Sequence, residues 1–209
     1  GTYKFWVNDP GIRCVDYWFI FDDLQKEIEV AKVPQGRLIY LTSEVSRPKC
    51  FYDTQFAVKF LNQFDEIFTC HDILGDNVHH VSPFLPWMIN ANHGDLIYEK
   101  TSRDINWLRD LNNLPKERLI SVFCSDKALT PEHRFRIKFV RKLKDHFGET
   151  LDWFGNGVNS VEQKWDAIAP YKYHIVLENQ SRVNVVTEKI YDSFLGLAFP
   201  IYWGAPNIN

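Results

Sequence analysis

The sequence predicts an α/β fold divided into two strand-and-helix halves. Three observations predict it. Short apolar runs rich in β-branched and aromatic residues alternate with amphipathic stretches along the whole chain. At 209 residues, with 45% hydrophobic and 24% charged residues, the chain has an ordinary globular composition and suits one large domain or two small ones. A polar segment, Thr101–Glu117, containing Asn112-Asn113-Leu114-Pro115, separates the halves and reads as a crossover.

Taken in order, Val15–Phe21 reads as the first strand, followed by a helix over about Asp23–Lys32 with Asp22-Asp23 at its N-cap. Arg37–Thr42 is the second strand, Asp53–Phe64 a helix and Glu66–Cys70 a strand, with Asp65-Glu66 as a solvated turn. Part of Thr101–Glu117 can form a surface helix, because Trp107, Leu108 and Leu111 make one apolar stripe. Arg118–Cys124 opens the second half. Thr130-Pro131-Glu132 then supplies an N-cap, a proline at the first helical position and an early acid. Phe135, Phe139, Leu143 and Phe147 recur every four residues, which predicts an apolar face on that helix. Leu151–Phe154 and Tyr173–Leu177 follow as strands. The last helix starts at Thr187-Glu188-Lys189, with Thr187 as its cap, and Phe199–Trp203 is the last strand.

Net charge is −3 and the chain carries no basic tail, which argues against nucleic acid as a partner. The basic stretch Arg134–Lys144 reads as a solvated helix face. Cys14, Cys50, Cys70 and Cys124 are scattered without metal-type spacing, so no metal site is expected. His71, His79 and His80 read as loop histidines and His174 as a strand histidine. No apolar run approaches the roughly 20 residues of a membrane span. No phosphate loop of the GxGxxG or GxxxxGK[ST] kind occurs.

Chemistry concentrates in Tyr171–Asn209, a strand, loop, helix and strand. The first strand delivers Glu178 and Asn179 at its carboxyl end, where open α/β sheets bind ligands. The helix that follows offers free amides and the positive end of its dipole, which suits a diphosphate. Lys189 can add an ammonium, and Glu188 suits a neutral diol such as a ribose. From spacing alone, Glu188 is equally an acid supporting the dipole and Lys189 equally a solvated side chain.

The same segment resembles the C-terminal signature of the α-1,3-fucosyltransferase family, glycosyltransferase family 10. Tyr171-Lys172-Tyr173, Glu178-Asn179-Gln180-Ser181, Val186-Thr187-Glu188-Lys189 and Pro200-Ile201-Tyr202-Trp203-Gly204-Ala205-Pro206 stand in the family's order and at its spacings. Upstream, Arg136, Phe139 and Leu143 match the helix that carries the family's phosphate-binding arginine, with Arg134 as the alternative two residues earlier. Leu151–Gly155 resembles its short strand and glycine turn. Leu38–Pro48 resembles the strand and turn that carry its catalytic acid, which points to Glu44. The chain departs from the pattern at Val185, where family members often have tyrosine.

The resemblance implies a GT-B fold, two Rossmann-like domains facing a central cleft. Residues 1–105 would form the acceptor-side domain, 106–117 a linker and 118–209 the donor domain, lacking the family's closing C-terminal segment. It implies transfer of fucose from GDP-fucose to a carbohydrate hydroxyl with inversion and no required cofactor. Glu44 is then the base, and Arg136, Asn179, Glu178, Glu188 and Lys189 bind the donor. Two alternatives stay open: a transferase for another nucleotide sugar, and an inactive glycan- or nucleotide-binding module. Asn179-Gln180-Ser181 has the form of a glycosylation sequon inside the expected donor site. A glycan there would block it. This favours a cytoplasmic enzyme, peripheral to a membrane through segments outside the sequence, over one in the Golgi lumen.

Overall fold

The computed structural model describes residues 2–9, 11–23, 28–43, 54–85, 88–89 and 103–208. The chain divides into two compact units, Gly1–Phe84 and Leu85–Asn209.

The first unit holds a parallel sheet of β1 (Trp18–Phe21), β2 (Leu38–Leu41), β3 (Glu66–Thr69) and β4 (Val78–His80), in sequential order. Trp18 pairs with Leu38, Ile39 with Glu66 and Ile67 with Val78. Helix α1 (Thr54–Leu61) contributes Ala57, Phe60 and Leu61 to a core with Ile20, Tyr40, Phe64 and Ile67. Tyr40 is the centre of this core. Its ring meets Phe60 edge-on at 5.6 Å, and its hydroxyl donates to the Asp22 carbonyl at 2.7 Å.

Three expectations change here. The described end of the expected helix, Ile28–Lys32, is not helical; Lys32 forms a parallel bridge with Cys14, and Ile28 and Val30 stay exposed. Asp65 and Glu66 are not a solvated turn: the Asp65 carboxylate accepts the Leu38 amide at 2.9 Å, and Glu66 pairs with His79 at 2.6 Å. That pair, with His79 stacked on Phe68, places His79 and His80 in strand β4 in place of the expected loop.

The second unit is a parallel sheet ordered β6-β5-β7-β8, from β5 (Arg118–Phe123), β6 (Leu151–Phe154), β7 (Tyr171–Leu177) and β8 (Phe199–Trp203). The chain leaves β5 toward β6, then returns to the other side of β5 for β7 and β8. This reversal between β5 and β7 is a topological switch point, the place where such sheets bind ligands beyond their carboxyl ends. Among its helices are α2 (Ile105–Asp110), α3 (Pro131–Phe147) and α4 (Glu188–Leu195).

One face of this sheet packs Ile120, Val122, Ile175 and Leu177 under Ile137 and Val140 of α3. The four-residue repeat of phenylalanines is not the buried face. Phe135, Phe139 and Phe147 are exposed, because the sheet meets the helix along 136, 137 and 140. Phe135 and Phe139 stack on each other, and Phe135 leans on Trp203 at 5.3 Å. The opposite face packs Trp165, Ile168 and Ala198 with Ile89 and Leu108. The expected linker, 106–117, therefore belongs to this unit: Leu108 is in its core, and Leu111 and Leu114 pack against it. Gly155, at the end of β6, has φ +147°, and a Cβ there would collide with the Cys124 carbonyl.

Candidate functional site

The carboxyl end of β7 gathers most of the expected donor residues. Along this strand, His174 and Val176 point to the α4 side of the sheet, and Glu178 continues that alternation just past its end. Glu178 is 0% exposed. Its Oε1 accepts the Thr187 amide at 2.8 Å and its Oε2 accepts the Thr187 hydroxyl at 2.6 Å. Lys189 Nζ lies 3.4 Å from the same Oε2. Both carboxylate oxygens of Glu178 are thus engaged inside the protein. Its contacts hold Thr187 and Lys189 in place.

Thr187 occupies the N-cap position of α4, but its side chain makes no capping bond within the helix, contrary to expectation. The hydroxyl serves Glu178 instead and accepts from Lys189 Nζ at 2.8 Å. The first amides of α4 are left without a side-chain cap, as an anion-binding helix start requires. Gly204, in the Trp203-Gly204-Ala205-Pro206 turn, lies against this knot. A Cβ there would press into the Tyr202 hydroxyl and Glu178 Cγ.

Lys189 is 21% exposed in its side chain and reaches Glu188 Oε1 at 3.4 Å. Its two carboxylate contacts are long, so either can be exchanged for a ligand oxygen. Glu188 is itself held between two ammonium groups, Lys189 and Lys164, the latter at 3.8 Å. Burial pushes the Glu188 carboxyl upward, but the two lysines outweigh it and hold it below the ordinary range. Asn179 stands exposed at the strand's end.

Arg136 approaches from α3. It is only 5% exposed. One terminal nitrogen of its guanidinium lies 3.4 Å from the Leu177 carbonyl, the residue before Glu178, and its buried Nε has no hydrogen-bond partner among the described residues. A buried guanidinium with one N–H donor unused is costly unless a ligand answers it. Arg134, the alternative, is exposed and donates to the Ala128 carbonyl. The structure thus brings Arg136, Glu178, Asn179, Glu188 and Lys189 to one end of the second unit. Val185 is buried, so the residue at this place does not line the open surface. Glu44 lies outside the described residues. Its neighbour Ser43 is tied by both amide and hydroxyl to the Asp22 carboxylate.

One group at the site, Lys164, escaped sequence reasoning, and His174 is the strand histidine expected from the sequence. Lys164, from the 3₁₀ turn Lys164–Ala167, donates to Asp192 Oδ2 at 2.5 Å, and Asp192 is fully buried. His174 is buried on β7, its Nδ1 2.8 Å from the Ser121 hydroxyl. That hydroxyl donates to the Ala167 carbonyl at 2.7 Å, so Nδ1 carries the ring proton. Burial, and secondarily Lys164, push the imidazole down to about 3.

This shift has a stability consequence with a definite sign. In the unfolded chain the imidazole titrates near its ordinary value of about 6.5. Between that value and about 3 the unfolded chain binds more protons than the native one. The His174 contribution is complete above the unfolded value and is lost as pH falls, by up to roughly 1.4 kcal/mol per pH unit. Urea midpoints at pH 7, 5.5 and 4.5 should fall more steeply for wild type than for His174→Gln. Equal slopes would contradict the assignment.

Residues 114–209 match the family described as glycosyltransferase family 10 (fucosyltransferase), C-terminal part. A segment is 37% identical over 49 residues to the alpha-(1,3)-fucosyltransferase FucT of Helicobacter pylori, covering 23% of this chain and 10% of that protein. Crystal structures of an α1,3-fucosyltransferase with GDP-fucose and with GDP share the fold at 19% identity, with TM-scores of 0.52 and 0.53. The likeness covers 96% and 97% of this chain, which spans 59% of the length of those structures. In its ordered motifs and its fold this chain is similar to the α-1,3-fucosyltransferases, and residues 114–209 match the C-terminal part of glycosyltransferase family 10.

Proposed function

We propose that the chain serves transfer of fucose from GDP-fucose to a carbohydrate hydroxyl, with inversion at the anomeric carbon. The observation that carries this reading is Arg136, a buried guanidinium with an unpartnered Nε, set against the last carbonyl of β7 at the sheet's switch point. A diphosphate between Arg136 and the start of α4 would answer both the guanidinium and the uncapped amides. Lys189 would exchange a long carboxylate contact for a phosphate oxygen. Glu188, ionised between two lysines, would accept from the ribose hydroxyls, and Asn179 would orient the sugar.

In this reading the departing GDP gathers negative charge where Arg136, Lys189 and the helix start already point, so the site is organised before reaction. These groups supply the stabilisation without a tightly held metal. Glu44 takes the acceptor proton as oxygen attacks. The first unit presents the acceptor and the second holds the donor, as two Rossmann-like halves of a GT-B enzyme. Among the described residues no helix is long and apolar enough to cross a membrane. An accessible Asn179 in the donor site accords with an enzyme on the cytoplasmic face of a membrane, where the sequon stays unmodified. The direct test is incubation with GDP-fucose and a panel of glycan acceptors, with proton NMR of the product. An α-linked fucoside is the expected result, and a product retaining the donor's β configuration would contradict it.

Arg136→Met separates binding from folding. Removing a charged hydrogen-bond donor from the diphosphate should weaken GDP by about 1.5–3 kcal/mol. The ligand-free protein should lose no stability, because an under-bonded buried charge is replaced by an apolar chain of similar length. Calorimetric titration and thermal melting check the two halves. Unchanged GDP affinity would remove Arg136 from the site.

A further inference from the structure

Lys164 is the least expected member of the cluster. It comes from the turn between β6 and β7, and its side chain is 12% exposed. Its ammonium lies over the Phe123 ring at the end of β5. It bridges two carboxylates one helical turn apart on α4: Asp192 Oδ2 at 2.5 Å and Glu188 Oε1 at 3.8 Å. Asp192 is anchored in turn by the Met88 amide, which donates to Oδ1 at 2.7 Å.

The charge balance explains why this bridge matters. Glu178, Glu188 and Asp192 are three carboxylates; Lys164 and Lys189 are two ammonium groups. Without Lys164, Asp192 would be a buried carboxylate with no cation among the described residues, and Glu188 would have Lys189 alone among them. Lys189 would be drawn toward Glu188, and three carboxylates would be left with Lys189 and Arg136 alone, which weakens the hold on a diphosphate.

We propose that Lys164 is a positioning residue of the donor site: it fixes the Glu188 carboxylate and leaves Lys189 available to the diphosphate, without itself touching the nucleotide. The proposal rests on the donor-site reading given above.

Titration with GDP of wild type, Lys164→Met, Lys164→Arg, Glu188→Gln and the Lys164→Met/Glu188→Gln pair tests it, with melting temperatures measured in parallel. Lys164→Met should weaken GDP by about tenfold or more, within the range of coupled neighbours. Lys164→Arg should restore most of the affinity, since a guanidinium can also span the two carboxylates. In the Glu188→Gln background, Lys164→Met should have little further effect. Wild-type affinity in Lys164→Met, failure of Lys164→Arg to restore binding, or penalties that simply multiply in the pair would each overturn the proposal. Should Lys164→Met not fold, Lys164→Met/Asp192→Asn removes both buried charges, and GDP affinity equal to wild type in that variant would overturn it equally. If Glu188→Gln itself leaves GDP binding unchanged, the donor-site reading fails first. If Glu188→Gln weakens GDP and Lys164→Met does not, the positioning role alone fails.

Discussion

Glu178→Ala should destabilise the second unit by about 3–5 kcal/mol, the usual result of removing one partner from a buried charged cluster. The carboxylate accepts from the Thr187 amide and hydroxyl and faces Lys189, with no exposure to water. Its removal strands a buried amide, a hydroxyl and part of an ammonium together. Glu178→Gln keeps one acceptor oxygen and should lose less, since its amide group can face Thr187 or Lys189 but cannot satisfy both. Urea unfolding followed by tryptophan fluorescence reads this directly, because Trp165 and Trp203 pack against the cores of this unit. A loss below about 1 kcal/mol would mean that the knot is not a structural one, the range left for exposed pairs. Donor affinity should fall with it, because Thr187 and Lys189 hold their places through Glu178.

Glu44→Gln should act on a different quantity. A positioned base contributes about 10²–10⁴-fold to the rate. The amide cannot take the acceptor's proton, so transfer at saturating donor should fall by that factor while GDP affinity stays near wild type. The base is proposed from the likeness of Leu38–Pro48 to the family's acid-bearing turn. The Asp22 carboxylate, at the end of β1, holds Ser43 immediately before it. Transfer rate and GDP dissociation constant measured on the same preparation decide the matter. Near wild-type transfer would exclude Glu44 as the base. Lost GDP binding would move it to the donor side.

What could be read from the sequence follows from how local each signal is. Strands β1–β3 and β5–β8 are apolar runs bounded by polar breaks, and their positions were legible. Strand β4 was not, since Val78-His79-His80 is polar and is held by Glu66 and Phe68 from a neighbouring strand. The phenylalanine repeat on α3 misled because periodicity shows that a face exists, not which face the sheet covers. The gathering of Glu178, Asn179, Glu188 and Lys189 was legible because a strand end and the next helix start are close in sequence. The inward role of Glu178 was accessible in principle, since it shares the two-residue alternation of the buried His174 and Val176. Lys164 carried no local signal: its partner Asp192 lies a strand and most of a helix further along the chain.

In the proposed function the carboxyl end of β7 holds a guanosine diphosphate. The measurement closest to it is calorimetric titration of the protein with GDP, UDP, ADP and CMP. GDP should bind most tightly, and at a hundred times its dissociation constant it should stabilise the fold by about 2.7 kcal/mol. UDP binding more tightly than GDP, or no nucleotide binding at all, would contradict it.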